Sequence, residues 1–306
     1  MRVFYADHHH VELPAGHRFP MAKYAALRAA LVAEGVLAPA QLQPAPPVTR
    51  AELERVHDPA YVAAVTGGTL DARAQRRIGL PWSPALVARS SASAGGTVAA
   101  ARAALADGLA GNLAGGTHHA HRAYGSGFCV WNDLAVTAAA MLAEGRVARV
   151  LVFDADVHQG DGTAAIFADD DRVQTCSLHG ARNFPFEKQH SDLDLPLADG
   201  AGDDEVLAAV ERGLDHFAAR PAPDLVLYQG GVDALVSDTL GRLRMTLAGM
   251  AARDRLVLGH FRGRGIPVVL TLGGGYARPI EDTIAAHVGT YRAAMALPGA
   301  PSARRA

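Results

Sequence analysis

Between Val150 and Gly162 the chain reads VLVFDADVHQGDG, an apolar run that ends in Asp154, Asp156, His158 and Asp161. So dense a group of carboxylates and imidazole exceeds what a buried strand end carries without a cation or a partner. Asp156 and His158 stand two apart, so on extended backbone both point to the same side. A carboxylate beside an imidazole suits zinc, iron or manganese. A catalytic zinc commonly takes three protein ligands and keeps one position open. This stretch supplies two, and GGVDALVSD (230–238) offers Asp233 and Asp238 for the third. Alone, each piece also has a plain structural explanation: a helix-capping aspartate, a buried histidine, a glycine-rich turn.

His118 and His119 follow Gly115-Gly116. Adjacent side chains point apart, so the pair is better suited to acid/base work than to sharing one metal. Each would need an orienting carboxylate, which raises basicity and fixes the tautomer; Asp154 and Asp161 are available. Tyr276 ends GGGY, where glycines permit close backbone approach and leave a phenol free to donate to a carbonyl oxygen. His8, His9 and His10, with His17, imitate a metal site, but only Asp7 and Glu12 lie near them in sequence. A solvated or rim position is expected for that cluster.

These side chains need a frame. Strands are expected at 2–5, 112–114, 148–153, 172–177, 224–229 and 266–272. Helices are expected from Pro20 to Ala33, after the Thr49/Glu52 capping box, from Asp58-Pro59 to Gly67-Gly68, from Ser83-Pro84, and at 132–144, 203–219, 246–262 and 278–294. QPAPP (43–47) is expected to be a rigid loop. VARVLVF, DLVLYQ and IPVVLTL are continuous apolar runs, which signals burial on both faces in a parallel sheet. The expected class is therefore α/β: one domain over 1–297, with a central, mostly parallel sheet flanked by helices on both faces. The tail 298–306 is expected to be disordered. GTHHAH (116–121), DADVHQGD, SLHG (177–180), GGVDALVSD and GGGY each follow an expected strand. Binding sites of open α/β sheets lie beyond the carboxyl ends of the strands, so the five clusters point to one assembled site.

The bulk numbers agree with a cored protein: 306 residues, 49% hydrophobic and 20% charged. A net charge of −2 argues against a nucleic-acid binder working through a basic surface. Lys23 and Lys188 are the only lysines, and with abundant Ala and Gly this points to a GC-rich bacterial gene. Cys129 and Cys176 lie far apart, outside any CxxC, which fits a reducing cytoplasm. No signal peptide and no membrane-spanning run is visible.

The motifs HHA (118–120), SGFCVWND (126–133), DADVHQGDG (154–162), SLH (177–179), GGVDALVSD and GGGY together resemble the zinc-dependent histone deacetylase family, of arginase/deacetylase fold. HRFPMAKY (17–24), IGLPWSP and HGARNFPF are similar to bacterial and class IV-like members. The resemblance implies one zinc per chain, held by Asp156, His158 and Asp238. It makes His118 and His119 the tandem histidines, the second being the general base and then acid, with Asp154 and Asp161 orienting them. Tyr276 would polarise the substrate carbonyl. Gly127 and Phe128, with Phe184 and Gly274, would form the tunnel for an acyl-lysine stem. A structural K+ or Na+ site would use Asp154, Asp156, His158, Ser177 and Leu178, and a second would lie near Phe167, Asp170 and Val173. Arg18 is matched to the arginine of an internal channel.

The implied function is removal of acyl groups from acylated lysine in protein or peptide, or from a small acylated amine. The rim aspartate with which class I members grip substrate has no counterpart. GGTLDARAQRRIGLP (67–81) is basic instead, through Arg73, Arg76 and Arg77, which also argues against a polyamine substrate. Two alternatives stand beside this reading: a dinuclear manganese ureohydrolase of the arginase type, and a non-catalytic acyl-ligand sensor.

Overall fold

The apolar run at Val150 behaves as its composition requires: every residue from Val150 to Asp154 is buried. It is a central strand of an eight-stranded sheet in the computed structural model, which describes residues 1–297. The expectation for the tail 298–306 lies outside the described residues.

In chain order the elements are β1 (Arg2–Tyr5), α1 (Lys23–Ala33), β2 (Leu42–Pro44), α2 (Arg50–Leu53), α3 (Pro59–Gly67), α4 (Ala72–Ile78) and α5 (Pro84–Asp107). Then come β3 (Leu109–Asn112), α6 (Asp133–Ala143), β4 (Val150–Asp154), α7 (Asp161–Phe167), β5 (Val173–Gly180) and β6 (Leu193–Leu197). The chain closes with α8 (Asp203–Ala218), β7 (Leu225–Gln229), α9 (Leu247–Gly263), β8 (Val268–Thr271) and α10 (Ile280–Met295).

The strand order is β2-β1-β3-β8-β7-β4-β5-β6, and every pairing is parallel. The helices fall into two packed groups, α2, α3, α5, α6 and α7 in one and α1, α8, α9 and α10 in the other. The all-buried strands β3, β4, β7 and β8 are those whose sequences lack polar alternation. The two strands missing from the sequence reading are the edges. β2 and β6 are half-exposed and carry Pro44 and Pro196, which an edge strand tolerates and a central one does not.

Two helices also escaped the reading. α4 begins with Asp71, whose side chain accepts from the Ala74 N–H at 2.7 Å, and stops at Gly79 in the left-handed region. It carries the basic stretch. α7 opens on Asp161 itself, so the DADVHQGD cluster runs directly into a helix. The consequence for the site lies in the strand order. The clusters at 116–121, 273–276, 230–238 and 154–161 follow β3, β8, β7 and β4, and 177–180, expected to follow a strand, is instead the end of β5; the five strands are consecutive, so the clusters share one edge of the sheet.

Candidate active site

Asp156 and His158 leave β4, and a third residue completes a group that could hold a metal ion: Asp233, from the loop after β7. His158 Nδ1 lies 3.1 Å from Asp156 Oδ1 and 3.0 Å from Asp233 Oδ2. All three residues are buried. The expectation of Asp238 is corrected here, and the reason is visible in its hydrogen bonds. Asp238 Oδ1 accepts from the N–H groups of Leu240 (2.8 Å) and Gly241 (2.9 Å), and Oδ2 from that of Tyr276 (2.6 Å). Its carboxylate shapes two turns rather than joining the cluster.

The donor set fits a dication. Burial is outweighed by Asp156 and Asp233, which push the His158 imidazole up to about 10, so the point between them strongly favours positive charge. Burial and the charge of Asp156 meanwhile hold Asp233 up at about 7. Asp156 Oδ2 is fixed from behind by Gln229 Nε2 (2.8 Å) and by the Gly274 N–H (2.7 Å). A Cβ at Gly231 would overlap Asp156 Oδ2, and one at Gly274 would overlap Asp233 Oδ2. Both glycines are therefore required to let the carboxylates converge.

The tandem histidines enter from the turn after β3. His118 Nδ1 lies 2.6 Å from Asp154 Oδ2, and His119 Nδ1 lies 2.5 Å from Asp161 Oδ1. His121 Nε2 takes the other oxygen of Asp161 at 3.0 Å. Burial would lower His118, but Asp154 and Asp156 outweigh it and hold the imidazole up at about 9. Burial and the charge of His118 push His119 down to about 4, despite Asp161. One histidine thus favours its proton while its neighbour stays free to accept one.

Phe128, Phe184, Gly127, Gly274 and Tyr276 line one cavity of about 600 Å³ with His118, His119, Asp156, His158 and Asp233. Phe128 sits at φ 66, an unusual conformation for a bulky residue. It is held there by its N–H, which donates to the Ile78 carbonyl at 2.8 Å, so the end of α4 fixes this wall. The Phe184 ring meets that of His119 edge-on, with centroids 4.9 Å apart. Burial pushes the Tyr276 phenol well above its ordinary range, which keeps it a hydrogen-bond donor.

Asp154 and Ser177 are register partners on β4 and β5, with Leu178 next in line. Ser177 and Leu178 in β5 thus lie beside the end of β4, from which the chain runs on to Asp156 and His158. Phe167, Asp170 and Val173 meet in the turn between α7 and β5, where the Asp170 carboxylate bonds to Arg172 at 2.7 Å. Arg18 is exposed at the cavity mouth and not in an interior channel. The buried cation near Tyr276 is Lys23, whose Nζ donates to the Gly275 carbonyl at 3.2 Å. His8, His9 and His10 lie outside the cavity lining, as expected for a rim or solvated cluster.

Three supports escaped the sequence reading. Asp133 is fully buried and binds the turn before the histidines: it accepts from the N–H groups of Gly116 (3.1 Å) and Thr117 (2.7 Å) and from two threonine hydroxyls. Arg253 of α9 donates to the carbonyls of Ala155 (3.0 Å) and Gly231 (2.6 Å), tying the two loops that carry the candidate metal group. His57 receives the Asn132 N–H and contacts the His121 carbonyl, each at 3.0 Å. The signal for Arg253 was the charged run Arg253-Asp254-Arg255 set among apolar residues in the middle of α9.

A histone deacetylase domain model matches residues 17–291. An uncharacterized protein of Picosynechococcus sp. is 48% identical, over 95% of this chain and 97% of its own. Histone deacetylase 2 of Arabidopsis thaliana is 28% identical, over 88% of this chain and 73% of its own. Several longer histone deacetylases match over about half of their own length. Among solved structures, a histone deacetylase homologue from Aquifex aeolicus aligns with a TM-score of 0.82 at 25% identity, covering 97% of this chain and 85% of its own. With the model spanning most of its length, the chain belongs to the histone deacetylase family.

Proposed function

We propose that the protein is a zinc-dependent deacylase, hydrolysing the amide of an acylated lysine or a related acylated amine. One observation carries the reading. The group Asp156, His158 and Asp233, the His119 imidazole backed by Asp161, and Tyr276 line one cavity with apolar walls. Asp156, His158 and Asp233 would hold the zinc, which when bound supplies Lewis acidity toward the acyl carbonyl and the attacking water.

The remaining chemistry belongs to the chain. His119 is oriented by Asp161 and favours its neutral form, so it can take a proton from water as the water attacks. The same imidazole then protonates the leaving amine. His118, held by Asp154, keeps positive charge beside the site. Tyr276 donates to the acyl oxygen as negative charge grows there. Phe128 and Phe184 seat the methylene stem and exclude water. Asp154, Ser177 and Leu178, with residues 156 and 158, are the proposed setting for a structural K+ or Na+. The two free buried thiols are consistent with a reducing cytoplasm, and no described helix is long and apolar enough to cross a membrane.

A ureohydrolase with two manganese ions needs a second ligand set, and among the described residues no second group of three adjoins the first. A silent sensor would have no use for an oriented base and a half-buried donor phenol. The test is hydrolysis of lysine peptides bearing acyl chains from acetyl to myristoyl, with zinc-stripped protein as control. Turnover that disappears on stripping and returns with zinc is the expected result. Metal analysis giving about two manganese per chain, or no turnover on any acyl chain, overturns the proposal.

A further inference from the structure

The cavity mouth carries Arg18, Arg77, Arg182 and Arg242, and all four are exposed. They arrive from four separate segments: the loop before α1, the last turn of α4, the loop after β5 and the loop between β7 and α9. The carboxylates that line the same cavity, Asp156 and Asp233, are the buried ones of the candidate metal group. Asp199 sits between Arg242 (3.0 Å) and Arg182 (3.6 Å), one carboxylate shared by two guanidiniums. Arg77 lies over the Tyr124 ring at 4.4 Å, which steadies the side chain without neutralising it. Among the described residues no carboxylate pairs with Arg18 or Arg77. The mouth is therefore distinctly positive in a chain whose net charge is −2.

Arginine stays charged at any working pH, and its planar fork matches a carboxylate. A positive mouth draws anions toward the cavity and repels ammonium groups. We propose that the enzyme selects acylated amines whose unreacted end carries a carboxylate, received by this arginine mouth. The proposal rests on the deacylase reading. The carboxylate could belong to an acidic side chain flanking an acyl-lysine in a peptide, or to a small acyl amino acid.

The test is a matched pair of substrates. N-acetyl-ε-aminocaproate and N-acetylcadaverine present a carboxylate and an ammonium on the same methylene arm. Acetyl-lysine peptides flanked by aspartate, alanine or lysine form the second arm. The expected result is a kcat/KM at least about tenfold higher for the carboxylate member of one or both sets at low salt. The ratio shrinks as salt rises, because exposed charges are screened. Arg77→Gln and Arg242→Gln should each cut the ratio by roughly two- to fivefold, the range of exposed charge pairs. Preference in the small amides identifies a small substrate, and preference confined to peptides identifies an acidic protein segment. Equal or reversed rates with alanine-flanked peptide still hydrolysed would overturn the charge selection and leave the deacylase standing. No hydrolysis of any member would overturn both.

Discussion

The two walls of the cavity are built by different means. On the histidine wall, side chain holds side chain: His118 to Asp154 and His119 to Asp161, both pairs buried. On the tyrosine wall, side chains hold backbone. Asp238 receives the Tyr276 N–H, Asp156 receives the Gly274 N–H, and Lys23 reaches the Gly275 carbonyl. The first wall sets charge and protonation. The second sets the position of one phenol through a turn that glycines make adaptable. Asp233 and Asp238, five residues apart in one loop, serve different parts of this arrangement.

That division makes the largest predicted effect. Asp233→Asn should bring bound zinc from about one per chain toward none, and turnover with it by on the order of a thousandfold or more, since Lewis-acid stabilisation is worth several kcal/mol. Asp238→Asn should keep its metal. Metal analysis of the two purified variants decides. Zinc lost from the Asp238 variant and kept by the Asp233 variant would return the ligand role to Asp238.

Next in size come the two groups proposed to act on the substrate from opposite walls. Tyr276→Phe removes one donor to the developing oxyanion and should lower kcat about 100- to 1000-fold with zinc content unchanged. His119→Ala should cost turnover on a similar or larger scale, typically about 100- to 10,000-fold for a lost acid/base group. A Tyr276→Phe enzyme with normal kcat would show that the phenol does not touch the reacting carbonyl.

The same contrast governs what could be read from the sequence. The core strands were legible because VLVF and LVLY have no polar alternation. The histidine wall was legible because aspartates and histidines crowd into short motifs, and their pairing follows from residue type. The edge strands were not, because Pro44 and Pro196 hide them. On the tyrosine wall the informative contacts end on backbone atoms, which leave no mark in a sequence. Asp238 and Asp233 are the same residue type in the same loop, and only their contacts tell them apart: Asp233 meets His158, and Asp238 accepts from three N–H groups. Arg18 drew attention as the channel arginine while Lys23, five residues on, is the buried cation beside Tyr276.

A smaller effect isolates the backbone tether. In Asp238→Asn one oxygen is replaced by an NH2 group that cannot accept from a backbone N–H, so one of the two turns loses its anchor. A hydrogen bond to a charged group contributes about 1.5–3 kcal/mol. Turnover should fall by roughly ten- to a hundredfold through kcat, with KM little changed and zinc retained. A variant as active as the parent would show that the GGGY turn holds Tyr276 without this carboxylate.

The smallest effect concerns Lys23, and its sign on stability differs from its sign on activity. Lys23 is buried, makes one hydrogen bond and has no carboxylate ion-pair partner among the described residues; its Nζ lies 5.1 Å from the Tyr276 ring centroid. A buried charge is costly to desolvate, and apolar replacements of similar volume are often neutral or stabilising. Lys23→Met should therefore fold with an unchanged or raised melting temperature. It should also lose the tether on Gly275 and the positive charge beside the phenol, lowering kcat by roughly three- to tenfold on the scale of one hydrogen bond. Lys23→Arg, which keeps the charge, should recover part of that loss. A destabilised Lys23→Met with full turnover would instead make Lys23 a packing residue, and the tyrosine wall would rest on Asp238 and Asp156 alone.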